Sequence, residues 1–158
     1  MNRTRHLLKE AWIVGSTASA VSTLALIAAG GAENDRAAAP INAISHWLWR
    51  RKAFRQDGIS GKYTFAGYLI HHAASVFWAA LFGCVRQRLR PASLPADLAA
   101  GIAVSAAACA VDYRCIPERF TPGFERRLSR TSMGLVYLAF GVGLAVATRA
   151  LGRGTSST

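Results

Sequence analysis

Apolar residues fall along this chain in four long blocks, and the basic residues collect between them. Crossing a hydrocarbon core of about 30 Å takes about 20 helical residues, so each block was measured against that length. The first, about 11–31, reads AWIVGSTASAVSTLALIAAGG and carries no charge. The second, 63–85, is YTFAGYLIHHAASVFWAALFGCV. The third covers about 94–116; its charge-free centre, Leu98–Val111, is bounded by Asp97 and Asp112, which places one carboxylate near each interface. The fourth, 131–151, has Arg149 close enough to its end to snorkel. A soluble helical bundle would put charges along the outer face of each helix, and these blocks show no such face. The pattern predicts an all-α polytopic membrane protein, one membrane domain over 1–158 with four transmembrane helices.

The connectors add detail. In NDRAAAPINAISHWLWRRKAFRQDG, Asn34 or Asp35 can cap a helix start and Pro40 suits its first turns. Ile41, Ile44 and Leu48 share one face, with Trp47 and Trp49 beside it and Arg50, Arg51 and Lys52 following. An amphipathic helix over about 36–55, lying in the interface with its indoles at headgroup depth, is expected; Trp47, Trp49, Arg50 and Arg51 are its anchors. In RFTPGFERRLSR, Thr121 can cap a helix that begins at Pro122 and runs into the fourth span. RPASLPAD ends the second helix and starts the third.

The N-terminal MNRTRHLLKE followed by an apolar block has the layout of a secretory signal. Its uncharged run exceeds the ~7–15 residues of a signal core, and Ser16, Ser19 and Ser22 recur at helix-packing intervals, so a retained first helix is expected.

Inside lipid, helices associate through close packing and interhelical hydrogen bonds. Small residues repeat every four positions at Gly15, Ser19 and Thr23, and again at Gly101, Ser105 and Cys109; Gly141 and Ala145 form a shorter pair. The third helix is small on nearly every face, Ala99, Ala103 and Ala107 included, which predicts a central place among its neighbours.

Two adjacent histidines, His71 and His72, lie nine or ten residues into the second block, about 14 Å deep at 1.5 Å per residue. Successive helical residues point about 100° apart, so the two rings face different surroundings. Tyr68 lies one turn from His72, and Asp112 and Tyr137 belong to the same half of the bundle. Three readings follow. The histidines are neutral hydrogen-bonding groups in a packed bundle, with Asp112 paired to an interfacial Arg. Alternatively His46, Tyr68, His71, His72, Asp112 and Tyr137 line a polar cavity that binds or passes a proton or small solute. In the last, histidines ligate haem or a metal, with His46 as partner.

Net charge is +11, yet mean hydropathy is still +0.22, because nineteen Lys and Arg flank apolar blocks rather than forming a stripe or groove. Anionic lipid headgroups account for them, and no nucleic acid is expected. With four spans, Arg3, Arg5, Lys9, Arg86, Arg88, Arg90, Arg149 and Arg153 lie on one side, against eleven cations on longer connectors opposite. The cations before the first span favour both termini in the cytoplasm. Cys84, Cys109 and Cys115 form no metal-binding or redox spacing and read as free thiols. Ser45 beside His46 makes no nucleophile pair, and no paired carboxylates occur, so neither catalytic residues nor a cofactor are expected.

PINAISHWLW (Pro40 to Trp49) and VDYRCIPERFTPGFERRLS (Val111 to Ser129), with the histidine-bearing span between them, resemble small bacterial inner-membrane proteins, broadly the YagU-like group. The resemblance implies a helical inner-membrane protein and assigns no catalytic residues. Together these features predict a non-enzymatic structural or accessory membrane component, with homo-oligomers or a larger membrane protein as partners.

Overall fold

The computed structural model describes residues 3–88 and 93–154. The helix end expected at Arg90–Ala92 lies outside the described residues, as do the side chains of Arg3 and Arg153. Four long helices carry the fold: α1 (Arg3–Asn34), α4 (Tyr63–Arg86), α5 (Leu94–Arg114) and α6 (Arg130–Gly154). Between α1 and α4 lie two short helices, α2 (Ala39–Ile44) and α3 (His46–Trp49), then a 3-10 run over Arg50–Arg55. Two 3-10 turns, Glu118–Phe120 and Phe124–Arg126, lead into α6. No strand occurs among the described residues. All four long helices have the length and apolar content to cross a membrane. Large apolar side chains such as Leu24, Phe65, Phe77 and Leu135 are exposed on their outer faces, as lipid contact requires.

The helices alternate in direction. One face, the terminal face, gathers the start of α1, the end of α4, the start of α5 and the end of α6; the far face holds the other ends and the short elements. Around the bundle the order is α4, α1, α6, α5, with α1 packed on both α4 and α6, and α5 chiefly on α6. The expected central place of the third helix is therefore not found: Ala99, Ala103 and Ala107 are exposed on the outer side of α5. Small residues let the axes approach, but α5 uses them on one side only, where Gly101 lies against the Gly141 backbone. Gly15 of α1 similarly admits Val76 of α4, and Gly143 of α6 admits Ala18. Ser19 is fully buried in the α1 contact, and Ser105 donates a 2.5 Å hydrogen bond to the Tyr137 carbonyl across α5 and α6.

The connector after α1 differs from a single helix floating in the interface. Neither Asn34 nor Asp35 starts it: α1 runs through Asn34, and Asp35 adopts φ 53°, its N–H bonding the Gly31 carbonyl to close the helix end. Pro40 does lie in the first turn of α2, as expected. Every residue from Ala38 to His46 is buried, while Leu48 is exposed, so the stretch from 36 to 55 is helical in short pieces and dips into the bundle. The backbone breaks at Arg50, whose φ is 49°. Close approach explains the burial: a Cβ on Gly67 of α4 would run into the Ile41 carbonyl. Asn42, fully buried, supplies the polar partners that such a segment needs, donating to the Gln56 and Gly58 carbonyls and accepting from Thr64.

The helix expected from Pro122 is also absent. Thr121 donates its hydroxyl to Glu118 and Glu125 rather than capping, Gly123 takes φ 89°, and α6 starts only at Arg130. Arg127 ties this loop to the other far-face connector, donating to the Phe54 carbonyl and pairing with Asp57, which Arg36 also holds at 2.9 Å. Burial and the neighbouring Arg36 lower the Arg127 pKa, a cost that the Asp57 carboxylate offsets. Glu33 fastens α1 to the start of α6 by accepting from Ser129 and Ser132.

Candidate intramembrane binding cavity

Because α4 and α5 meet only sparsely, the far half of the bundle keeps a cavity of about 440 Å³ between them. Ala73, Ala74 and Phe77 of α4 line it and are exposed, so it opens sideways, toward the region that lipid chains occupy. Ile70, Trp78, Val111, Val136 and Phe140 make its walls apolar. Trp47, Phe120, Pro122 and Phe124 from the short elements roof it at the far face.

Every long helix contributes a polar side chain to this cavity: Ser22 from α1, His71 and Ser75 from α4, Asp112 from α5 and Tyr137 from α6. They work in pairs. Ser22 Oγ lies 2.8 Å from His71 Nε2 and 2.9 Å from the Ala18 carbonyl. With its single proton given to that carbonyl, Ser22 accepts from Nε2–H, which places a ring proton on Nε2. Tyr137 donates to Asp112 Oδ2 at 2.6 Å, so the expected pairing of Asp112 with an interfacial Arg is replaced by a phenol. Ser75 Oγ closes the helix side of the site by donating to the His71 carbonyl. Among the described residues the lining includes no Lys or Arg and one carboxylate, Asp112.

The other expected cavity residues lie elsewhere. His72 turns away from His71, as the 100° step requires, and packs edge-on against Trp12 with ring centroids 5.3 Å apart and beside Tyr68 at 5.7 Å. His72 Nδ1 is buried without a hydrogen-bond partner among the described residues. His46, only 6% exposed, bonds the Ala43 carbonyl through Nδ1 and lies against Phe54 and Gly123. The six expected residues thus separate into one group of three around the cavity and three packing groups around it.

The expected anchors divide too. Trp47 Nε1–H donates to the Thr121 carbonyl at 2.9 Å, which makes this indole a strut between the two far-face connectors. Trp49 packs on Tyr63 with Lys62 over its ring at 5.0 Å, while Arg50 and Arg51 are exposed.

Sequence reading missed the cluster at the opposite end. Asp97, 1% exposed, takes the Arg86 Nε–H at 2.9 Å, and Arg149 Nε stands 3.7 Å from its other oxygen. The signal was present: three charged residues at the ends of three spans, all on the terminal face. Nothing local indicated that they meet. Cys84, Cys109 and Cys115 are free thiols. Among the described residues no three of His, Cys, Asp and Glu assemble in a form that could hold a metal ion. No protein-family model matches the chain, and comparison with curated proteins and with solved structures found no similar one.

Proposed function

We propose that the chain is a non-enzymatic accessory protein of a bacterial inner membrane, and that its cavity binds an amphiphile drawn sideways from the bilayer. One observation carries this reading: apolar walls end at a polar cluster to which all four long helices contribute. Such a combination suits a ligand with a hydrocarbon body and a small head. The head is a neutral or basic hydrogen-bond donor, because Asp112 is the lining's charged group and no cation there would meet an anion. A proton or solute pathway would use the same His71 and Asp112. It would also have to cross the terminal half, which Val14, Ala18, Phe82, Val104 and Leu144 fill.

Trp47 and Trp78 border the cavity and report on its occupant. Titrating the detergent-solubilised protein with a brominated long-chain alcohol should quench their fluorescence saturably. Ala74→Phe, which narrows the mouth at an exposed position, should remove the saturable component while leaving the helix content unchanged. Quenching that rises linearly in the wild type and is indifferent to the substitution would reject an amphiphile site.

A further inference from the structure

A second cavity, about 680 Å³, opens at the terminal face between the start of α1, the end of α4 and the end of α6. Arg5, Lys9 and Arg86 line it, and Val14, Ala79 and Phe82 form an apolar wall. His6 and Glu10 also line it, paired with each other at 3.4 Å. Arg86 is held in place from behind. Asp97 engages its Nε, so the two terminal nitrogens of the guanidinium have no protein partner among the described residues. The charge there is unbalanced among the described residues: Arg5, Lys9 and Arg86 line the cavity with Glu10, and Asp97 behind Arg86 is shared with Arg149. Arg149 also approaches the buried Asp97, so two guanidinium groups share one carboxylate and the cluster keeps a net positive charge.

We propose that this cavity is a binding site for an anionic phospholipid, with the phosphate on Arg86, Arg5 and Lys9 and an acyl chain along the apolar wall. Asp97 is the positioning residue that presents the Arg86 fork. The geometry suits a lipid rather than a free anion because the cations sit at the level of the helix ends and the wall continues from them toward the bilayer core. Basic pockets between helices select phosphate headgroups by this combination of charge and depth. The site is separate from the far-half cavity and does not depend on the function proposed for it.

The test is native mass spectrometry of the full-length protein titrated with dioleoylphosphatidylglycerol, with dioleoylphosphatidylcholine, and with inorganic phosphate. Phosphatidylglycerol should bind in preference to phosphatidylcholine. The Arg5→Ala/Lys9→Ala double variant changes two exposed side chains and should weaken phosphatidylglycerol about thirtyfold, at roughly 1 kcal/mol per cation. Arg86→Lys, which keeps the charge but loses the fork, should weaken it too. Equal binding of the two lipids, or full binding by the double variant, overturns the site. Inorganic phosphate competing as well as the lipid would make it a free-anion site and overturn the lipid assignment.

Discussion

Two neighbouring histidines reach different fates because a helix turns 100° between them. His71 meets a hydroxyl on α1 and borders a cavity; His72 meets aromatic rings. The Ser22 to His71 bond is interhelical and within the membrane, where such bonds average about 0.6 kcal/mol and reach about 1.7. Ser22→Ala removes the acceptor and strands a ring N–H, so destabilisation of about 1 kcal/mol is expected in reversible unfolding from mixed micelles. An unchanged unfolding midpoint would mean that His71 finds another partner. The residue pattern put His71, Asp112 and Tyr137 at compatible depths. It did not supply Ser22 as their companion, since one serine among three at packing intervals looks like the others until α1 and α4 are in register.

At the scale of elements, the long helices were legible and the short ones were not. A span announces itself by some twenty uncharged residues, and no alternative structure satisfies its backbone in lipid. The connector elements depend on contacts. Ile41 and Ile44 have the spacing of an interfacial stripe, yet the glycine at position 67 opens space for α2 inside the bundle. The same reasoning places α5. Its small residues occur on all sides, but only the face with Gly101 and Ser105 finds a neighbour at close range. Gly101→Leu would force α5 away from the Gly141 backbone, with a cost of at least about 1–3 kcal/mol for overpacking. A lower monodisperse yield on size-exclusion chromatography is expected. A normal yield would show that α5 does not need this contact.

For the whole molecule, the alternation of four spans puts Cys84 beside the terminal face and Cys115 at the far face, both exposed. They are built-in orientation markers. With both termini in the cytoplasm, a membrane-impermeant maleimide should label Cys115 on intact cells, and Cys84 only after permeabilisation. The reverse order would invert the proposed orientation. The molecule is also asymmetric along its long axis. Its terminal half is packed by Phe82, Leu144 and their neighbours, whereas its far half is roofed by hydrogen-bonded loops over a side-opening cavity. The proposed binding role fits that asymmetry better than a continuous path does.

The sequence alone determined the class of the protein and the number of its spans, because the bilayer imposes length and polarity on each helix separately. It also indicated which residue types in the second, third and fourth spans were costly enough to need partners. Which partners they found was a matter of tertiary structure. The Asp112 to Tyr137 pair, the Ser22 to His71 pair and the Asp97 cluster each join different helices, and their rotation about the bundle axis is fixed by where small residues let backbones touch. Local pattern carries helix and depth, while azimuth belongs to packing.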